Sequence, residues 1–209
     1  IRDSTNAVQH AKDLINETTN PTMDKAQIEQ ATQEVNNAKA DLHGEQKLIQ
    51  DQQQANTTVD GLNNLNQAQQ QALKDQVNAA PTRTDVAQIV QNATQLDQEM
   101  ERLNQAVTQA ETDKAQPNYT EASTDKQDAL NQAIEAAKAI TNIPNGSNAT
   151  KQQVEQAINQ IQQTSNDLDG NQRVNDAKTQ AKQTIDQLQH LNDDQKATAK
   201  QNVEQATQL

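Results

Sequence analysis

Few residues in this 209-residue chain are of types that do chemistry. Its three histidines, His10, His43 and His190, fall near expected helix ends or turns and share no motif. An acid–base or nucleophilic centre needs several such groups converging, so they read as solvated helix-end residues. Asp193 and Asp194 could offer carboxylates to a cation, but acidic residues in a first helical turn also meet the positive end of the helix dipole. The chain has no cysteine, which removes thiol nucleophiles, thiolate metal sites and disulfides. No EF-hand spacing, HExxH pair or glycine-rich phosphate loop occurs. No cofactor, metal or catalytic residue is therefore expected, and the chain reads as non-enzymatic. Asn-x-Ser/Thr occurs at Asn16, Asn56, Asn92, Asn118, Asn145 and Asn148, a frequency that a chain rich in Asn and Thr produces by composition. Tyr119, the single aromatic residue, is the one candidate for contact with a partner. The competing reading folds it from a loop over a bundle end with its hydroxyl outward. Met23 is expected to fill a loop-side gap, and Met100 a helical seam position.

The elements around these residues must be built from little apolar material. Hydrophobic residues are 32% of the chain, Leu, Ile and Val together number 34, and the net charge is −12. Low hydrophobicity with high net charge is the composition of disorder. Yet Gly and Pro number only 4 each, and the abundant Gln and Ala are good helix formers, so periodicity has to decide. With 17 basic against 29 acidic residues and one aromatic, a nucleic-acid surface is excluded. No apolar run reaches the ~18 residues of a membrane span, and no basic amphipathic helix with large apolar anchors is present for a membrane surface. No signal peptide opens the sequence, and Ile1 stands mid-pattern, as in a piece of a longer chain.

Sliding the sequence on itself gives one register, an offset of 126 residues, with 24 identities over 83 overlapping positions. Leu42, Gly44, Ala55, Asp60, Leu62, Leu65, Asn66, Gln69, Lys74 and Val77 recur as Leu168, Gly170, Ala181, Asp186, Leu188, Leu191, Asn192, Gln195, Lys200 and Val203. Val8/Ile134, Leu14/Ile140, Ile28/Val154 and Val35/Ile161 add conservative apolar pairs. Within a repeat the apolar positions follow helical spacing. The clearest stripe is Val86, Ile89, Ala93, Leu96, Met100, Leu103, Val107 and Ala110, stepping alternately by three and four. A helix over 84–115 would run ~48 Å, too long to bury its seam in one small bundle. It is expected to serve two bundles in turn.

Other helices are expected over 2–17, 24–42, 45–62, 66–79, 124–142, 150–168, 171–188 and 192–207. Capping boxes open at Asp24, Asn66, Thr150 and Asn192, a further start is expected at Thr124, and Gly44 and Gly170 stand where a C′ glycine would end a helix. The fold class is all-α: tandem three-helix bundles joined by a long shared helix into an elongated rod. The expected divisions are 1–43 (two helices of a bundle), 44–98 and 99–169 (complete bundles) and 170–209 (two helices).

These residues resemble the alternating FIVAR-type and GA-type modules of giant staphylococcal surface proteins. Asn118-Tyr119-Thr120-Glu121-Ala122-Ser123 with Ala129, Ala133, Ile134 and Ala137 is similar to a FIVAR opening, and Thr150, Val154, Ala157 and Ile161 to its closing helix. Ala181, Ile185, Leu188, Leu191, Asn192, Gln195, Lys196 and Lys200, with their copies from Ala55 to Lys74, resemble the GA opening helices. Val86 and Val90 stand where the third GA helix would begin. Two departures matter. FIVAR modules often carry aromatics in the second helix, and 124–142 has none. Some GA modules hold albumin with exposed aromatic and aliphatic side chains, where this chain has Gln70, Gln71, Lys196 and Thr198.

The resemblance implies a cell-wall-associated, extracellular bacterial adhesin segment, with secretion signal and anchor outside it. It implies a spacer that also binds a host matrix protein such as fibronectin, weakly per module and strengthened by multivalency. The segment is expected to be monomeric, with no nucleic-acid partner and no membrane insertion. The alternatives are a mechanical stalk without a ligand, or a helical module capturing albumin or immunoglobulin.

Overall fold

The three-four spacing of Ala, Leu, Ile and Val becomes ten helices in the computed structural model, which describes residues 2–17, 19–21, 24–40 and 42–209, with Arg2 as backbone alone. No strand forms among them. The place expected for Met23 lies outside the described residues. In chain order the helices are α1 (Arg2–Asn16), α2 (Lys25–Ala40), α3 (Gly44–Asp60), α4 (Gln67–Ala79), α5 (Arg83–Asp113), α6 (Pro117–Thr120), α7 (Thr124–Thr141), α8 (Lys151–Asn166), α9 (Gly170–Gln187) and α10 (Asp193–Gln205). Reciprocal capping boxes open α4 at Asn66, α8 at Thr150 and α10 at Asn192. Asp24 Oδ1 accepts from Ala26 N at the start of α2, and Thr82 accepts from Asp85 N at the start of α5.

The chain divides into two compact units, Ile1–Gln54 and Ala55–Leu209. In the first, α1 and α2 pack as a pair, tied by His10 Nδ1 and Glu34 Oε2 at 2.8 Å. Ala31 is buried between them, but the stripe beside it stays open: Val8 is 39% exposed, Ile15 81% and Ile28 51%. Their groove is lined by Ala11, Leu14, Ile15, Ile28, Ala31 and Val35.

In the second unit α5 is one unbroken helix of 31 residues, ~46 Å long. Its first half packs with α4, where Val59 from the end of α3, Leu73, Ala93 and Leu96 join one buried cluster and Val77 and Val86 are also buried. Its second half packs with α7 and α8 around Leu103, Ala110, Leu130, Ile134, Val154 and Ile161. Met100 is fully buried between these layers, and the apolar residues on both sides form one contiguous cluster. Ile89 and Val107 are partly buried and pack against it. Beyond this body, α6 packs on α9, and α9 pairs with α10.

The structure departs from the sequence reading at α6 and at two glycines. Between the helices expected over 84–115 and 124–142 stands a single turn, α6, opened by Pro117 as its first residue, where a missing N–H costs nothing. Thr124 opens α7, the start expected there, and the residue before it, Ser123, holds the N-cap position with its N–H and hydroxyl both turned to Asp169. Gly44 and Gly170 do not end helices: each is the first residue of the helix that follows, and neither has positive φ. The left-handed residue after α2 is His43, at φ 45. At Gly170 the requirement is space, because a Cβ there would lie 2.4 Å from the carbonyl oxygen of Pro117.

Candidate functional site

The polar groups that recur and converge in this chain do so where one bundle meets the next. At the first such junction, Asn66 and Gln69 are both fully buried. Locally they form the capping box of α4: Asn66 Oδ1 accepts from Gln69 N at 2.9 Å, and Gln69 Oε1 accepts from Asn66 N at 3.1 Å. Their remaining amide hydrogens reach across to the end of α7 and the α7–α8 loop. Asn66 Nδ2 donates to the carbonyl oxygens of Ile140 at 2.9 Å and Ser147 at 2.8 Å. Gln69 Nε2 donates to Ala149 O at 2.9 Å and lies 3.5 Å from Met100 Sδ. Gln67 N completes the set by donating to Ile143 O at 2.9 Å. Two neutral side chains thus spend both ends of their amides, which is how a buried amide avoids its desolvation cost.

Gly146 makes the approach possible. A Cβ at that position would sit 2.5 Å from Asn66 Nδ2 and 2.5 Å from Ile140 O. The α3–α4 turn is held to α5 on the same side, with Asn64 N and Nδ2 donating to the two carboxylate oxygens of Asp97 at 2.9 and 3.0 Å.

The second junction joins the α5–α8 bundle to α9. Asp169 accepts from Ser123 N at 2.9 Å and Ser123 Oγ at 3.2 Å, and Lys126 Nζ stands 3.5 Å away. The backbone N–H of Ser123 is the main cause holding the Asp169 carboxyl below its usual 3.8. Asn118 Oδ1 accepts from Asn171 N in the first turn of α9. Within the bundle, Glu111 on α5 accepts from Lys138 on α7 at 2.5 Å and pairs with Lys114 at 3.1 Å. These bonds, with Lys138 foremost, lower the Glu111 carboxyl and raise the Lys138 ammonium.

Tyr119 sits in α6, half-buried against the core, and its hydroxyl points inward to donate to Asn131 Oδ1 at 3.1 Å. Lys114 Nζ lies 5.9 Å from its ring centroid. His43 Nδ1 meets Gln46 Oε1 at 3.1 Å, and His190 is exposed. Asp193 and Asp194 occupy the first turn of α10. The structure brings none of these histidines together with the others. Among the described residues no three His, Asp or Glu side chains converge as a metal site, and no helix is long and apolar enough to cross a membrane. The junction role of Asn66 and Gln69 was hidden in the sequence behind their local role: a capping box looks the same whether or not it is buried.

Comparison with known proteins places the architecture. Residues 2–43 and 99–169 match the FIVAR domain family, and residues 45–99 and 171–209 match the GA module family. The chain belongs to this family of alternating FIVAR and GA repeats. It is 66% identical over 203 residues to the extracellular matrix-binding protein EbhA of Staphylococcus aureus (strain Newman), covering 97% of this chain and 6% of that protein. It is likewise 66% identical over 97% of its length to the extracellular matrix-binding protein ebh of Staphylococcus aureus (strain NCTC 8325 / PS 47), of which it spans 2%. The chain thus spans a small fraction of the relatives it matches. The crystal structure of EbhA (756–1003 domain) from Staphylococcus aureus superposes with a TM-score of 0.89 at 34% identity, over 98% of this chain and 81% of that one. A structure from the characterisation of Embp-mediated Staphylococcus epidermidis adherence to fibronectin superposes with a TM-score of 0.55 at 26% identity, over 59% of this chain and 98% of that one.

Proposed function

We propose that this chain is a non-enzymatic, monomeric segment of a bacterial surface adhesin, working outside the cell as a rod-like spacer and a weak, multivalent binder of host matrix protein. The carrying observation is the 66% identity, over 97% of the chain, to proteins named for extracellular matrix binding. Fibronectin is the ligand of choice, because a structural neighbour was characterised in adherence to fibronectin. The module boundaries that go with this reading are 1–43, 44–98, 99–169 and 170–209. The spacer role is supported by α5, which carries one hydrophobic seam from one bundle into the next without a hinge.

Weak binding per module follows from the surface. Hot spots lean on Trp, Tyr and Arg anchors. Here the one aromatic, Tyr119, is half-buried with its hydroxyl engaged by Asn131, so it is a poor anchor for a partner. A net charge of −12 keeps neighbouring copies apart and soluble.

The test is side-by-side binding of the 209-residue chain, and of a tandem tetramer of it, to immobilised fibronectin, albumin and immunoglobulin. Saturable fibronectin binding that tightens strongly in the tetramer is expected. Binding to albumin alone contradicts the matrix-adhesin role. Binding to none of the three at high micromolar tetramer leaves a mechanical stalk.

A further inference from the structure

The repeat places a second copy of the first junction's donors at Asn192 and Gln195, 126 residues after Asn66 and Gln69. The capping box there has the same geometry: Asn192 Oδ1 accepts from Gln195 N at 2.9 Å, and Gln195 Oε1 accepts from Asn192 N at 3.0 Å. The two sites differ in what covers them. Asn66 and Gln69 are fully buried beneath the α7–α8 loop, whereas Asn192 and Gln195 are exposed. Among the described residues no acceptor meets Asn192 Nδ2 or Gln195 Nε2. Leu188, the repeat partner of Leu62, is 44% exposed.

We infer that Asn192 and Gln195 form a preset docking seat for the α7–α8 loop of another FIVAR-type module. The occupant is specified by the segment seated on the first copy, residues 140–149, which is the end of α7 with the loop that follows it. It must present three backbone carbonyls in the positions of Ile140, Ser147 and Ala149. It must also carry glycine at the position of Gly146, since a Cβ would sit 2.5 Å from the donating amide. Recognition of main-chain carbonyls by two amides rejects most side chains at one place while reading few elsewhere. One seat can therefore serve many modules of divergent sequence. The capping box holds both amides in their bonding orientation before the loop arrives, so little side-chain freedom is lost on docking. The inference is independent of which ligand the segment binds.

The repeat register supplies the experiment. Leu209 corresponds to Arg83, so a copy of residues 84–169 appended after Leu209 continues the pattern in phase. Exchange of the side-chain amide hydrogens is followed by NMR in the 209-residue chain and in the extended chain. In the former, Asn192 and Gln195 exchange at solvent-exposed rates while Asn66 and Gln69 are strongly protected. In the latter, Asn192 and Gln195 slow to the rates of Asn66 and Gln69. Asn192→Asp keeps the helix cap but removes the Nδ2 donor, and in the extended chain it returns Gln195 to fast exchange. Gly146→Ala in the appended copy does the same. If Asn192 and Gln195 stay fast, the seat does not exist. A second measurement needs no extension: Gly146→Ala in the 209-residue chain should release Asn66 and Gln69 to the rates of Asn192 and Gln195 with α4 still helical. Unchanged protection there overturns the loop-and-seat geometry itself.

Discussion

Gln69 donates its Nε2 hydrogen to the carbonyl oxygen of Ala149 at 2.9 Å, across 80 residues of sequence, and is itself fully buried. That bond ties the cap of a GA-type helix to the loop of the following FIVAR-type bundle. Removing one partner of a buried hydrogen bond leaves the other with its desolvation cost, ~1–3 kcal/mol. Gln69→Ala strands both Ala149 O and Asn66 N–H, so a loss of about 2–4 kcal/mol is expected. Gln195→Ala, its exposed repeat partner, should stay within about 0.5 kcal/mol. Urea unfolding followed by the fluorescence of Tyr119, the single tyrosine, measures both. Equal losses in the two variants would contradict the junction.

The glycines make a graded series. Gly146→Ala and Gly170→Ala each push a methyl into backbone or amide atoms 2.4–2.5 Å away, and overpacking of that kind costs ~1–3 kcal/mol. Gly44, the repeat partner of Gly170, has nothing within 4 Å of its added Cβ and no positive φ. Gly44→Ala should therefore gain ~0.4–1 kcal/mol through the unfolded chain. Thermal unfolding of the three variants checks the order. A Gly170→Ala variant as stable as Gly44→Ala would place α9 away from α6.

Acid should loosen the second junction. The Asp169 carboxyl is lowered from 3.8, mainly by the N–H of Ser123, so the folded state favours its ionised form. Its contribution is fully present above 3.8 and is lost as pH falls below that value through the folded pKa. Backbone amides of Ser123 and Asn171 should lose exchange protection in that range, and Asp169→Asn should remove the pH dependence. Glu111 shifts in the same direction, with Lys138 the main cause, so the α5–α7 contact weakens toward the acid side as well.

Repeat-equivalent residues should respond unequally. Val154 on α8 is fully buried in the core that α8 shares with α5 and α7, whereas its partner Ile28 is 51% exposed. Val154→Ala is expected to cost about 2–3 kcal/mol through lost burial and a residual cavity. Ile28→Ala should cost under about 1 kcal/mol. Hydrogen exchange in α8 and α2 reads the two losses separately. Matching losses would mean that the groove beside Ala31 is closed in solution.

The helices were legible because burial of a stripe needs residues three and four apart, and the seam from Val86 to Ala110 spells that out. Caps were legible where the bond is local, as at Thr150 and Gln153. Asn66 fitted the same local rule, but its Nδ2 partners lie 74 and 81 residues away, a pairing that only the packed bundle creates. Pro117 carries a breaker's signal whether it ends a helix or opens one, so α6 was invisible. Gly44 and Gly170 were read by the common preference of glycine for left-handed caps. What α9 requires at Gly170 is room for the Pro117 carbonyl, a tertiary demand. Likewise, Val8 and Ile134 share a repeat position but not a burial, 39% against 0% exposed, because a third helix covers only the second.

The claim that the two bundles of the second unit share one core at Met100 is tested most directly by native-state hydrogen exchange in the 209-residue chain and in Met100→Pro. In the unmodified chain, the slowest amides of α4, of α5 around Met100 and of α8 should open with one common free energy. Met100→Pro breaks the α5 ladder at a cost of ~3 kcal/mol or more and should split that opening into two, with α4 and α8 exchanging at different energies. Separate opening of α4 and α8 in the unmodified chain, or a single unchanged opening in the variant, would contradict a shared core.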